Sequence, residues 1–144
     1  MSDAKLLGTS QYLTFTLAEE VYALEISNVR EVLDYTKVTR VPRNPDFLSG
    51  VINLRGNVVP VVDMRLLLGM EKIERTVDTC IVIVEIGIDG ELLQIGALAD
   101  SVKEVIDLDS SNIDAAPRMG TKLNTSFIKG MGKHNDEFVI ILDI

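Results

Sequence analysis

The chain has 144 residues, of which 47% are hydrophobic and 25% are charged, and this balance excludes intrinsic disorder over most of its length. The 14 basic and 22 acidic side chains give a formal net charge of −8, which disfavours binding to nucleic-acid phosphates or anionic lipids. The longest apolar runs are strand-sized, far below the roughly 20 residues of a transmembrane helix, and no secretory signal precedes them. The sequence therefore indicates an acidic, cytoplasmic, globular protein.

The first half of the chain has the pattern of short strands joined by tight turns. Alternation over residues 12–17 predicts a half-buried strand, and residues 21–24 return as its hairpin partner. Residues 50–53 and 58–62 form a second predicted strand pair. The segment Asp63–Gly69 begins with a capping residue and ends with glycine, which predicts a short helix.

The second half begins with another predicted hairpin. The apolar run Cys80–Ile86 and the run Leu92–Leu98 flank the turn Asp89–Gly90, and Asp-Gly between two apolar runs is a strong hairpin signal. No segment has the pattern of a long amphipathic helix. We therefore predict an all-β fold with short connecting helices.

The second half also repeats the first. Three collinear segments match: residues 29–34 with 102–107, shifted by 73 positions, and residues 47–51 with 127–131 and 58–64 with 138–144, both shifted by 80. Each copy would be a β unit of about five strands, too small to be comfortably stable alone. We therefore expect the two units to share an apolar seam, with a groove along it.

The repeat predicts how the chain is organised. We expect a single domain over residues 1–144 that consists of two intertwined subdomains, at about 11–68 and 78–144. The second copy stops at Asp143–Ile144, where the first copy enters its helical segment. The sequence therefore favours a truncated or unusually short chain.

The chain has few histidine and cysteine residues, the side chains that most often act in catalysis or metal binding. The single histidine, His134, is expected in an exposed turn, and the single cysteine, Cys80, is expected as a buried thiol. Their positions fit no zinc-ligand spacing, and the chain has neither a G-x-S-x-G motif nor a complete phosphate-binding loop. We therefore predict no enzyme activity, no catalytic residue, no metal and no cofactor.

Three features suit a protein interface. Arg55 lies in a turn between two apolar strands, where a guanidinium can anchor a partner. Val29, Glu31 and Val32 follow a helical turn at the start of a strand, and Val38 begins an extended segment that ends in proline. Each feature also has an ordinary explanation: an exposed turn residue, simple strand alternation, and protection of a sheet edge.

Taken together, the motifs resemble the CheW family of bacterial chemotaxis. The resemblance is carried by an ordered series of segments: Val29-Arg30-Glu31-Val32, Val38-Thr39-Arg40-Val41-Pro42, Gly50-Val51-Ile52-Asn53-Leu54-Arg55-Gly56 and Val58-Val59-Pro60-Val61-Val62-Asp63-Met64-Arg65. It extends more weakly through residues 96–105 and covers residues 11–144.

The resemblance implies two SH3-like five-stranded β-barrels packed around a shared hydrophobic seam. It implies a non-catalytic adaptor that couples the cytoplasmic tips of chemoreceptors to the regulatory domain of the histidine kinase CheA. Val29, Glu31 and Arg55 match family positions tied to partner docking, and Val102 and Val105 match apolar positions near the receptor groove. The expected protein is a monomer when isolated, binds no nucleic acid and does not insert into the membrane.

Two alternatives remain open from the sequence. A CheW-like module can also be fused to a receiver or kinase domain. An SH3-like barrel can instead bind nucleic acid or a small ligand, although the net charge of −8 and the lack of a basic stripe disfavour nucleic acid.

Overall fold

The computed structural model describes residues 9–43, 45–115 and 128–142. Phe127 and the C-terminal pair Asp143–Ile144, which belong to the predicted repeat, lie outside these ranges. Eleven strands lie within them: β1 (Thr9–Leu17), β2 (Glu20–Glu25), β3 (Val29–Asp34), β4 (Leu48–Leu54), β5 (Asn57–Asp63), β6 (Cys80–Ile88), β7 (Glu91–Ala99), β8 (Ser101–Asp109), β9 (Ile113–Ala115), β10 (Ile128–His134) and β11 (Glu137–Leu142).

The strands form two mixed sheets, which confirms the predicted all-β class. One sheet has the order β8-β1-β2-β11-β10-β9, and the other has the order β3-β6-β7-β5-β4. Most neighbours are antiparallel, but each sheet contains one parallel pair, β11 with β2 and β5 with β7. An isolated bridge from Thr39 to Val51 adds an edge contact beside β4. The arrangement fits two SH3-like barrels, one for each sheet.

The two sheets follow the same plan, as the sequence repeat predicts. Strand β3 corresponds to β8, the hairpin β6–β7 to β1–β2, and the hairpin β4–β5 to β10–β11. Even the irregularities recur, because the pairing register shifts between Leu48 and Gly50 in β4 and between Ile128 and Gly130 in β10. These positions differ by the 80 residues of the repeat.

Sheet membership does not follow the predicted boundaries at 11–68 and 78–144. The hairpin β1–β2 lies in the sheet of β8–β11, whereas the hairpin β6–β7 lies in the sheet of β3–β5. The first hairpin of each half of the chain is therefore part of the sheet formed by the other half. The repeat identifies equivalent strands, but it does not contain the information about which copy of a hairpin pairs with which sheet.

The predicted shared seam is present as the largest apolar cluster. It combines Phe15, Leu17 and Tyr22 from one sheet with Val82 and Val84 from the other, all at most 1% exposed. Two smaller clusters fill the barrel interiors: one contains Tyr12, Ile106 and Ile141, and the other contains Ile52, Val61 and Ile83. The seam joins the two units because neither buries enough apolar surface alone.

Two-residue turns close four hairpins in the described part of the chain. Both turn residues have positive φ at Ala18–Glu19, Arg55–Gly56, Asp89–Gly90 and Asn135–Asp136. This sign pattern is that of type I′ turns, whose twist matches that of the flanking strands. The predicted turns at Arg55–Gly56 and Asp89–Gly90 are confirmed.

The predicted helix after β5 is also present. Helix α1 (Met64–Leu67) starts at Asp63, whose carboxylate accepts hydrogen bonds from the amides of Arg65 and Leu66 at 3.0 and 3.3 Å. The chain leaves the helix near Gly69, which has φ +88°. Within the described ranges, no helix is long and apolar enough to cross a membrane.

Candidate partner-binding surface

Two of the predicted partner-binding residues contact each other. Arg55, in the turn between β4 and β5, donates from both terminal nitrogens to the Glu31 carboxylate on β3, with Nη1–Oε2 at 3.5 Å. The Arg55 side chain is 70% exposed and that of Glu31 is 29% exposed, so the pair can be reached from solvent. The two sequence features therefore form one charged element at a barrel end. Sequence reasoning did not predict this contact, because the two residues are 24 positions apart.

The four predicted valines of β3 and β8 lie on the faces that the two sheets turn toward the seam. Val29 pairs with Val84 and Val32 with Val82, and both partners belong to the seam cluster. The repeat places Val102 and Val105 in the same way on the second sheet, opposite Phe15 and Leu13 of that cluster. Directly paired residues share a face of the sheet.

These valines differ in how much of the side chain remains accessible. Val29 and Val102 are half-buried against the seam cluster, whereas Val32 is 43% exposed and Val105 is 48% exposed. Each sheet therefore contributes one anchored and one exposed valine at the margin of the seam. This repeated arrangement is an apolar surface suited to a partner.

Val38 lies elsewhere. Its side chain packs against the interior cluster of the β3–β7 barrel, with Leu33 and Leu98. It also lines a depression of about 530 Å³ between the segments that surround Tyr35 and Ile73. The structure therefore separates Val38 from the seam margin, and the predicted set forms more than one surface.

The two candidate reactive groups are in different settings. Cys80 is buried, and burial raises the pKa of its thiol, which keeps it protonated and unreactive. His134 is the last residue of β10, directly before a turn, and it is half-buried with its Nε2 atom unpartnered, so it is less exposed than the sequence predicts. Among the described residues, no three histidine, cysteine or acidic side chains come together as a metal site.

Besides the pair of Glu25 with Lys129, sequence reasoning missed two more charged contacts. Arg30 of β3 pairs with Glu85 of β6, one residue beyond the Val29–Val84 pair. Arg65 of α1 pairs with Asp100, between β7 and β8. Both contacts join segments at least 35 residues apart, and no local motif signals such a pairing.

This chain is similar in sequence to known chemotaxis proteins. A family model described as a CheW-like domain matches residues 11–144. The chemotaxis protein CheW of Klebsiella aerogenes is 32% identical over 144 residues, covering 98% of this chain and 84% of that protein. The chemotaxis protein CheW of Helicobacter pylori is 34% identical and covers 93% of this chain and 78% of that protein.

A solved structure agrees with the sequence relatives. The crystal structure of the scaffolding protein TtCheW from Thermoanaerobacter tengcongensis matches with a TM-score of 0.84 and 37% identity, covering 94% of this chain and 89% of that one. At 94% coverage of this chain, the match extends over strands of both sheets. The chain therefore belongs to the CheW family, and its role is that of a coupling scaffold in chemotaxis.

Proposed function

We propose that this scaffold couples the cytoplasmic tips of chemoreceptors to the regulatory domain of the histidine kinase CheA, and that it performs no catalysis. Family membership supports the coupling role. The observation that carries the assignment of the receptor surface is the repeated set of valines at the margin of the seam.

The receptor side is assigned to the margin of the seam. A receptor tip is a helical hairpin, and a helix that docks in a groove needs an apolar surface with a few charges to orient it. Val29 and Val32 supply the apolar surface on one sheet, and Val102 and Val105 supply it on the other. The Glu31–Arg55 pair lies at the barrel end instead, because Glu31 pairs with Ile83 of the barrel interior and not with the seam cluster.

The kinase side is assigned to the barrel ends away from that margin. Val58 of β5 and Phe138 of β11 occupy equivalent positions of the repeat, and they are 74% and 65% exposed. An exposed apolar side chain on each unit gives the molecule two related contact points. Such contacts bury at most about 800 Å² per partner, so repetition in an array would supply the avidity.

This mechanism places the protein on the cytoplasmic side of the receptor arrays, as a monomer when isolated. It is held there through its partners and binds no nucleic acid, consistent with the net charge of −8. The signal then passes as a change in the geometry of the kinase.

The test is a two-dimensional NMR titration of labelled protein with the CheA regulatory domain and with a receptor-tip fragment, added separately. We expect the receptor fragment to shift the amides of Val29, Glu31, Val102 and their neighbours. The kinase domain should shift a different set that includes Val58 or Phe138. Identical perturbations by both partners would refute the assignment of surfaces, and no perturbation by either would refute the coupling function.

A further inference from the structure

The hairpin β6–β7 projects beyond the sheet that contains it. Strand β3 accompanies β6 only as far as Val84, and β5 meets β7 only from Gly96 onward. Residues 85–94 therefore pair only with one another in the described structure. The equivalent hairpin β1–β2 has no such overhang, because β8 pairs with β1 from Thr9 to Thr16.

One face of this overhang continues the apolar surface of the seam. Val84 pairs with Ile95 and Ile86 pairs with Leu93, and alternation places Ile88 on the same face. Val84 is 1% exposed, but Leu93 and Ile88 are 41% and 46% exposed. We define Ile86, Ile88 and Leu93 as the apolar ladder, which leaves the seam cluster and becomes accessible toward the hairpin tip.

The opposite face of the overhang has a different composition. It carries Glu85, which is paired with Arg30, together with Gln94, Gly87 and Leu92. A two-stranded hairpin with an uncovered apolar face is marginally stable in water. A contiguous apolar face that leads out of a core typically marks a binding surface.

We propose that the apolar ladder extends one wall of the receptor-binding surface and packs against the apolar stripe of a helical segment of the partner. This inference rests on the proposed function. It is supported by continuity, because Val84 at the base of the ladder pairs with Val29, a residue of the proposed receptor surface. The apolar face spans about 13 Å from Val84, at the base of the ladder, to Ile88, which matches a little over two turns of a helix.

The charges at the tip define the chemistry of the partner further. Glu91 pairs with Ile88 across the hairpin and Asp89 lies in the turn, and neither has an ion-pair partner among the described residues. A helix that packs on the ladder would place lysine or arginine side chains opposite these carboxylates. The partner is therefore an amphipathic helix with a basic flank.

The two faces of the hairpin supply matched variants. Ile88→Ser and Leu93→Ser remove methyl groups from the ladder, whereas Leu92→Ser removes the same kind of group from the opposite face, where Leu92 is 70% exposed. If exposed apolar area alone decided affinity, Leu92→Ser would have the largest effect. Because none of the three side chains is buried in the core, the variants should remain folded, which circular dichroism verifies.

The experiment measures the affinity of each variant for a soluble receptor-tip fragment and for the CheA regulatory domain by isothermal titration calorimetry. We expect Ile88→Ser and Leu93→Ser to weaken receptor binding about five- to tenfold, which corresponds to about 1–1.4 kcal/mol. Leu92→Ser should change it less than twofold. All three should bind the kinase domain like the unaltered protein.

Other results would overturn the proposal. Equal losses for Leu92→Ser and Ile88→Ser, or no loss for the ladder variants, would remove the ladder from the receptor surface while the coupling function stands. If the unaltered protein sediments as a dimer that Ile88→Ser dissociates, the ladder binds a second copy of the chain instead. If the unaltered protein does not bind the receptor fragment, the coupling function fails together with the inference.

Discussion

The Arg65 guanidinium holds the Asp100 carboxylate through three hydrogen bonds, of which the shortest joins Nη2 and Oδ2 at 2.7 Å. Arg65 lies in the helix that follows β5, and Asp100 lies between β7 and β8. The same carboxylate accepts a hydrogen bond from the amide of Ala18 at 2.9 Å, in the turn of the exchanged hairpin β1–β2. One side chain thereby connects the two sheets.

Loss of this carboxylate should destabilise the whole molecule. We expect Asp100→Asn to lower the free energy of unfolding by about 1–3 kcal/mol, because hydrogen bonds to a charged group are lost at a partly buried site. Urea denaturation monitored by circular dichroism measures the change. The control is Asp107→Asn at an exposed site, which should stay within about 0.5 kcal/mol. Equal effects of the two substitutions would contradict the connecting role.

The same pair predicts a pH dependence. Burial raises the pKa of Asp100, but hydrogen bonds from Arg65 and the Ala18 amide lower it more strongly, and the pKa lies below its ordinary value. A carboxyl group with a lowered pKa stabilises the folded state fully above its unfolded pKa of about 3.9, and this stabilisation is lost as the pH falls through the folded pKa. The stability difference between the unaltered protein and Asp100→Asn should be constant from about pH 7 to 5 and shrink below about pH 4. A constant difference at all pH values would exclude an ionic origin.

The helix cap at Asp63 offers a second test of stability. Asp63 is 4% exposed, and its carboxylate accepts hydrogen bonds from two backbone amides of α1. Asp63→Ala should therefore lower the free energy of unfolding by about 1 kcal/mol or more. Asp63→Asn keeps an oxygen acceptor at the same position and should cost less, since asparagine is also a favourable N-cap residue. Thermal denaturation of both variants measures the difference. An equal cost would mean that the charge of Asp63, and not its capping geometry, is the stabilising feature.

Close backbone approaches at two equivalent glycines predict intolerance of any side chain. A Cβ atom at Gly50 would lie 2.1 Å from the Thr39 carbonyl oxygen, and one at Gly130 would lie 2.6 Å from the Asp114 carbonyl oxygen. Gly50→Ala and Gly130→Ala should each cost about 1–3 kcal/mol. Gly87→Ala is the control, because its nearest neighbour lies at 4.0 Å, and it should be close to neutral. A neutral Gly50→Ala would show that the bridge to Thr39 opens easily.

The Glu31–Arg55 pair should matter more for binding than for folding. An exposed ion pair contributes about 0–1 kcal/mol to stability, whereas an arginine hot spot can contribute about 1–3 kcal/mol to an interface. We expect Arg55→Ala to weaken binding of one of the two partners by that amount with little change in the melting temperature. Lys133→Ala, at an exposed site on the other sheet, serves as control. Unchanged affinity for both partners would remove Arg55 from the binding surface.

Much of the local structure could be predicted from the sequence, because the signals are local. Alternation of apolar residues defines several of the strands, and the turns at Arg55–Gly56 and Asp89–Gly90 form where a residue followed by glycine separates two apolar runs. Asp63 predicts its helix through a cap that acts over three residues. The repeat predicts two related units and their seam, because a unit of that size cannot bury a sufficient core alone.

Only the tertiary structure decided how these elements combine. The hairpins β1–β2 and β6–β7 occupy equivalent positions in the two sheets, and no local signal in either hairpin specifies which sheet it completes. The contacts of Glu31 with Arg55 and of Arg65 with Asp100 join segments that approach only once the sheets have formed. The exposed ladder at Ile88 likewise depends on where β3 and β5 stop, because a strand's own sequence specifies its two faces but not the length over which its neighbours cover them.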